Sequence, residues 1–328
     1  MKHHKWVKGL IIFVTIIGLG LGSIIGYASW KINQFFEKTS ETAEKPNINN
    51  MKQDSEQDKR TEKPFAILLL GEDYRPETHS LNTDAIIVSV WNPVTKKVYL
   101  LSIPRDTKVK IPDYGYAKVN STFAKGGPIL AMETLSDLLD IPIQYYATVD
   151  FKGFEAVIDE LGGIEIDVDR NMVYRSLADG TDINLKKGLQ VLNGKQALDY
   201  ARFRKSSVGK SSDDFERNQR HQKILKALAD KMSSFKGITN VFDILDVAGD
   251  HIKTNLTPDE MKKLVWDFKG ANKDSIQTIE MNSYWKTPYV YIDDQELAKV
   301  QEKLKNAYAI TKTEETELSQ PQKEDFDE

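Results

Sequence analysis

Strand-like and helix-like stretches take turns along the middle of this chain, and that alternation limits it to an α/β architecture. "FAILLL" (65–70) is a continuous apolar run, as expected of a strand buried on both faces. "DAIIVSVW" (84–91) and "KVYLLSI" (97–103) are β-rich and separated by the turn sequence "NPVTK". "PILAMETLSDLLD" (128–140) reads as a helix with Pro128 in its first turn. "IQYYATVD" (143–150) reads as a strand, "FKGFEAVIDELGG" (151–163) as a helix closed by glycine, and "IEIDVD" (164–169) as an alternating strand. "LDYARFR" (198–204) reads as a further short strand. Helices follow over 214–232, 257–270 and 293–308, the last two with Thr and Asp caps. Interleaving of this kind over 64–310 predicts one α/β domain.

Before that domain, no charged residue occurs from Gly9 to Trp30. Roughly 22 residues at about 1.5 Å each just cross a hydrocarbon core of about 30 Å. Gly26-Tyr27-Ala28 has small residues where a signal peptide would be cut, but the run exceeds a usual signal core, so an uncleaved anchor is expected. The basic head 1–8 then lies inside the cytoplasmic membrane and everything after Trp30 outside it. Residues 31–63 are polar without apolar periodicity and read as a flexible stem, and 311–328 as an acidic disordered tail.

Net charge is −4, so the chain lacks the basic excess of a nucleic-acid binder. With no cysteine, disulfides, thiolate metal sites and cysteine nucleophiles are excluded. There is no G-x-S-x-G, Walker or G-x-G-x-x-G pattern, and none of the five histidines has a spaced partner. His221 is set apart only by sharing a helix with arginines.

What remains is a concentration of carboxylates and guanidinium groups. "FAILLL" runs into "GEDYR", placing Asp73 just past a strand end, where open α/β sheets bind ligands. A hairpin centred on Val94–Thr95 puts Asp84, at the start of its strand, opposite Arg105, with Asp106 beside it. In "YARFR", read as a strand, Arg202 and Arg204 point the same way. Arg217 and Arg220 sit in the first turns of the 214–232 helix, where cations are disfavoured unless an anion is bound. Each of these residues alone could be an ordinary loop carboxylate, an arginine paired to Glu72 or Asp106, or a solvated helix face. Together, two carboxylates and several arginines at one sheet end describe a divalent metal and a pyrophosphate, and oxygen ligands favour magnesium or manganese over zinc.

Several stretches together carry a resemblance to a known family. "ILLLGEDYR", "TDAIIVSVWNPVTKKVYLLSIPRDTKVKIPDYGYAKVNSTFAKGG", "IPIQYYATVDFKGFEAVIDELGGIEIDV", "LKKGLQVLNGKQALDYARFRK" and "DDFERNQRHQKIL" run in order over most of 64–236. In these the chain resembles the LytR-CpsA-Psr family of membrane-anchored wall-polymer transferases. The resemblance implies a mixed central sheet flanked by helices. It implies transfer of a phosphorylated glycopolymer, wall teichoic acid or a related polysaccharide, from a polyprenyl-pyrophosphate carrier. The acceptor is the 6-hydroxyl of N-acetylmuramic acid in peptidoglycan, and polyprenyl phosphate leaves. By position, Asp73 and Asp84 match metal carboxylates, and Arg105 the arginine of "PRD". Arg202, Arg204 and Arg217 match pyrophosphate-site arginines, which Arg220 and His221 would join. Asp106 and Asp214 match supporting positions. Asn82, in "NTDA", stands where the family often has arginine, with Arg75 nearby as a substitute, and His221 stands where glutamine is common. A cavity for the carrier's alkyl chain is also implied, with Leu130, Leu135, Leu138, Phe151, Phe154, Val157 and Ile158 as its expected lining. Two rival readings share the same residues: a polyprenyl-pyrophosphate hydrolase and a non-enzymatic lipid-binding regulator.

Overall fold

The computed structural model of the protein describes residues 63–75, 80–176, 181–204, 206–207, 214–233, 249–267 and 273–309. The basic head, the apolar span 9–30, nearly all of the stem and the acidic tail lie outside the described residues. Among those described, no helix is long and apolar enough to cross a membrane.

The first three strands form an antiparallel meander: β1 (Phe65–Arg75), β2 (Ser80–Asn92) and β3 (Lys97–Ser102). A small hairpin follows, β4 (Lys108–Ile111) with β5 (Gly115–Lys118), leading into helix α1 (Ser121–Leu139). Next come β6 (Tyr145–Asp150), α2 (Phe151–Glu160), β7 (Ile164–Val168), β8 (Met172–Arg175), β9 (Asp182–Leu185) and β10 (Gly188–Leu192). They are followed by α3 (Gly194–Arg202), α4 (Asp214–Ser233), β11 (Ile252–Thr254) and α5 (Pro258–Asp267). The chain continues with β12 (Ile276–Ile279), the hairpin β13 (Tyr284–Lys286) and β14 (Tyr289–Tyr291), and α6 (Asp294–Tyr308).

The central sheet has the order β11-β6-β1-β2-β3-β12 and is mixed, with β1/β6 and β3/β12 parallel. The apolar run "FAILLL" lies in the interior of this sheet and serves both faces. Ala66, Leu68 and Leu70 pack against Leu135 and Leu139 of α1 and Leu304 of α6. Phe65, with Ile67 and Leu69, faces the other way, toward Leu225 of α4 and Met261 of α5. A third apolar cluster joins Ile158 of α2, Ile164 of β7, Tyr200 of α3 and Ile224 of α4.

Four elements differ from expectation. β1 runs on to Arg75, so Asp73 lies within the strand and not past its end. β2 begins at Ser80, so Asp84 is likewise internal. Helix α1 starts earlier, at Ser121, but it breaks at Gly126 and Gly127, and Gly127 has φ +65°, leaving Pro128 in the first turn after the break. The fourth difference matters most: "LDYARFR" is not a strand. Its residues to Arg202 are the end of α3, and Phe203 is the cap. The Asn193 side chain accepts from the Gln196 amide at 2.9 Å, while the Gln196 side chain accepts from the Asn193 amide at 3.1 Å. This reciprocal cap starts a helix four residues before the stretch that looked like a strand. Buried Ala197, Tyr200 and Ala201 then follow helical spacing.

Helices α2 and α3 touch at Gly194, where a Cβ would stand 2.2 Å from the carbonyl oxygen of Glu155. Gly194→Ala is expected to push the helices apart and cost about 1–3 kcal/mol. Asn193→Ala, which only removes the cap, should cost about 1 kcal/mol. Urea unfolding of both variants checks the order; a neutral Gly194→Ala would show that the contact yields easily.

Candidate functional site

The site starts from an irregularity in the β1–β2 ladder. Gly71 pairs with Ala85, but Glu72 pairs with Thr83, leaving Asp84 as the extra residue of a bulge. Regular alternation along β2 sends Ile86, Val88 and Val90 into the core beneath α1. Asp84 would follow them, but both Asp84 and Ala85 line a cavity on the opposite face of the sheet. Bulges re-aim side chains in this way.

The β2–β3 hairpin supplies the partner. Ile87 pairs with Ser102, and Ile103 donates its amide to the Ile86 carbonyl at 2.9 Å. The same register carries Asp84 opposite Arg105, as the "NPVTK" turn predicts. Arg105 Nη1 donates to Asp84 Oδ1 at 2.5 Å, and the two side chains are only 16% and 23% exposed. Arg105 Nε lies 3.6 Å from Asp106 Oδ2, and Lys118 Nζ is 2.7 Å from Asp106 Oδ1. Burial pushes the Asp84 carboxyl upward. Charge and a hydrogen bond from Arg105, with the charges of Arg217 and Arg204, outweigh it and hold the group below the usual carboxylate range.

The cavity, about 670 Å³, lies between the sheet, α2, α3 and α4. Leu69, Ile87, Ala147, Phe154, Val157 and Leu228 make much of its wall apolar. Asp84, Arg202, Arg204, Arg217 and His221 also line it. Helix α4 contributes to both parts from one face: Arg217 and His221, then Ile224, Leu225 and Leu228, at helical spacing. Arg202 lies with its guanidinium carbon 4.5 Å from the centre of the Phe151 ring. A ligand that suits this lining has an anionic head and a long apolar tail.

The structure brings together most of the predicted residues, though by different means. Arg202 and Arg204 both reach the cavity, one from the last turn of α3 and the other just beyond its cap, not from one face of a strand. Phe151, Phe154, Val157 and Ile158 line it as expected. Leu130, Leu135 and Leu138 do not; they belong to the core on the opposite face of the sheet, because α1 packs there with α6. Arg220 is also turned away from the cavity. It is 2% exposed, its Nη2 donates to the Phe203 carbonyl at 2.6 Å, and it lies over the Tyr200 and Phe203 rings. It therefore fixes the bend that carries Arg204. Asp73 and Arg75 stand on β1 opposite Asn82 and Ser80, in the hairpin that carries Asp84. The side chains of these four, and that of Asp214 at the start of α4, lie outside the described part of the structure. Asp106 pairs with Arg105 and Lys118, a supporting position.

Sequence reasoning passed over Asp150, Asp199 and Lys118. Asp150 caps α2 through the Gly153 amide at 2.8 Å, holds His251 Nδ1 at 2.8 Å and lines the cavity with Asp199. The cap was legible in "VDFKGF"; the long-range pairing with His251 was not. Among the described residues, no group of three His, Asp or Glu side chains forms a metal cluster.

Burial, and then Arg217 and Arg220, push His221 down to about 4. The fold therefore favours neutral imidazole, while the unfolded chain takes up a proton below about pH 6.5. Stability from this group is complete above that pH and falls as pH drops toward 4, by about 2–3 kcal/mol. His221→Gln should remove this part of the acid sensitivity, seen as a smaller difference in urea midpoint between pH 7 and pH 4.5. An unchanged difference would place the titration elsewhere.

Comparison with known proteins fits this geometry. A model of the LytR_cpsA_psr family matches residues 31–306. The polyisoprenyl-teichoic acid–peptidoglycan teichoic acid transferase TagU of Enterococcus faecalis is 32% identical over 308 residues, covering 90% of this chain and 93% of that protein. The crystal structure of Bacillus subtilis TagV superposes with a TM-score of 0.64 at 36% identity, covering 75% of this chain and 98% of that one. A structure of YwtF (TagT) with bound octaprenyl pyrophosphate lipid has a TM-score of 0.57 at 29% identity, covering 75% of this chain and 90% of that one.

Proposed function

The chain belongs to the LytR_cpsA_psr family, and from that premise we propose that it transfers a phosphate-linked glycopolymer from a polyprenyl-pyrophosphate carrier to peptidoglycan. The observation that carries this reading is the cavity itself. It is largely apolar, and its lining includes Arg202, Arg204, Arg217 and an ionised carboxylate, Asp84. The alkyl chain of the carrier fits the apolar wall and its pyrophosphate the arginines. The glycopolymer is a teichoic acid or related polysaccharide, and the acceptor is the 6-hydroxyl of N-acetylmuramic acid. Residues 9–30 anchor the chain, with the domain on the outer side of the membrane.

The chemistry follows from charge placement. Acceptor oxygen attacks the phosphorus that bears the glycan, and the bond to the bridging pyrophosphate oxygen breaks. Polyprenyl phosphate departs, and the hydroxyl proton passes to it or to water. Such a reaction needs positioning and charge stabilisation more than covalent help from the protein. Arg202, Arg204 and Arg217 spread the charge of the pyrophosphate as it is redistributed. Arg105 holds Asp84 ionised and in place, and a carboxyl held below its usual range is a better anionic ligand than a base.

The donor set suits magnesium. Asp84 is an ionised oxygen donor at the bulge, and the backbone of Asp73 lies in the same β1–β2 hairpin. Asp84 with Asp73 would hold the ion, with manganese as an alternative. When bound, it supplies a positive charge that neutralises pyrophosphate oxygens.

The test uses the full chain in detergent with a short-chain polyprenyl-pyrophosphate glycan, uncross-linked peptidoglycan and magnesium. Mass spectrometry should find a phosphodiester-linked product. Asp84→Asn and Arg105→Ala should each reduce its rate by about 10²-fold or more. Free glycan phosphate without linkage would instead point to hydrolysis, and bound lipid without turnover to a regulator.

A further inference from the structure

Beyond the Asp84–Arg105 pair the surface changes character. Four large aromatic side chains stand exposed on the β4–β5 and β13–β14 hairpins: Tyr116 at 66%, Trp285 and Tyr284 at 54%, and Tyr114 at 53%. None lines the cavity. Lys108 joins the two hairpins, its Nζ lying 4.8 Å from the Tyr116 ring centre and 5.4 Å from that of Tyr291. Tyr291 in turn stacks on Tyr284, with ring centres 5.8 Å apart and planes 18° from parallel. Neighbouring aromatic side chains left in water forgo much apolar burial, and contiguous exposed patches mark interaction sites.

The patch is tied directly to the reacting centre. The Val290 amide donates to the Asp106 carbonyl at 2.9 Å, and Thr107 bridges to Val290. Lys118 binds Asp106 at 2.7 Å and lies 5.8 Å from the centre of the Trp285 ring. Asp84, Arg105, Asp106, Lys118 and Trp285 thus form one unbroken series of contacts.

Two polymers could meet this surface, and its chemistry favours one of them. Lys118 is engaged by Asp106, and Lys108 and Lys125 sit over the Tyr116 and Tyr114 rings, so the outward surface combines ring faces, hydroxyl and indole tips, and lysines held against the rings. Flat aromatic faces suit the C–H faces of pyranose rings, and the polar tips suit sugar hydroxyl and acetamido groups. A polyol-phosphate chain has no such ring face to lay against them. The carrier lipid occupies the cavity, so the acceptor must come from outside it.

Resting on the transferase reading, we propose that Tyr114, Tyr116, Tyr284 and Trp285 form a docking platform for the sugar rings of the acceptor glycan strand. The strand lies along the two hairpins and presents its hydroxyl past Arg105 toward Asp84.

The experiment measures two things on the full chain in detergent: co-sedimentation of uncross-linked glycan strands without lipid, and transfer kinetics at varied donor and acceptor. Trp285→Ala and Tyr116→Ala should each weaken strand binding and raise the acceptor KM about tenfold. kcat and the donor KM should hold, and Trp285→Phe should restore most of the loss. All of these side chains are exposed, so Tm should barely move; if Trp285→Ala does melt early, Tyr116→Ala on the other hairpin decides. Unchanged strand binding and acceptor KM in both variants overturn the proposal. A rise in donor KM alone also overturns it and assigns the patch to the donor polymer. If the wild type binds strands, and loses them in the variants, yet links nothing, the platform stands and the transferase reading falls.

Discussion

The hydrogen-bonded ion pair between Asp84 and Arg105 is the contact on which the rest of the site depends. Taking opposite charges partly out of water costs free energy that only good geometry recovers. Here the geometry comes from two backbone features: the bulge that turns Asp84 out of the core and the hairpin register that sets Arg105 opposite it. On one side of the pair lie the cavity arginines, whose charges also act on Asp84. On the other, Asp106 and Lys118 lead to the aromatic hairpins. Removing Arg105 would leave a buried carboxylate facing its desolvation with only Arg217 and Arg204 to oppose it.

The sheet explains why the cavity lies where it does. Parallel strands β1 and β6 run side by side until Gly71 pairs with Val149 and Glu72 with Asp150. Their carboxyl ends therefore open together, where α/β sheets bind ligands. The two faces do different jobs. Beneath α1 and α6 the packing is continuous, with Leu68, Leu101, Leu135 and Leu304 fully buried. Beneath α2, α3 and α4 the packing gives way to the cavity.

Much of this was legible in the sequence where the signal is local. "FAILLL" announced a buried central strand, and the "NPVTK" turn was enough to put Asp84 opposite Arg105. The bulge was not legible, because an extra residue in a ladder leaves the apolar alternation on either side intact. "YARFR" misled because its alternating pattern is equally compatible with a helix end, and the deciding signal, the Asn193–Gln196 cap, lies upstream. Spacing on α4 could not separate Arg217 from Arg220, because Arg220 lies three residues from Arg217 and four from Ile224. What turns Arg220 aside is the Phe203 carbonyl, 17 residues away, while Arg217 lines the cavity with His221, Ile224 and Leu228. The leucines of α1 carried no clue either, since an apolar stripe looks the same whether it faces solid core or a lipid-sized space. The folding of the two aromatic hairpins against each other was beyond reach, because their residues lie more than 160 positions apart and nothing local pairs them.

The bulge makes the site a matter of parity. A strand assigns its side chains to two faces by counting in twos, and Asp84 sits where that count is offset by one. Removing a single residue between Ser80 and Asp84 would restore an even count and a smoother ladder, and regular alternation would then turn Asp84 toward the core beneath α1 and away from the cavity. Residues 80–83 carry no other carboxylate to take its place beside Arg105. The irregular count thus keeps one carboxylate out of the core and in the cavity.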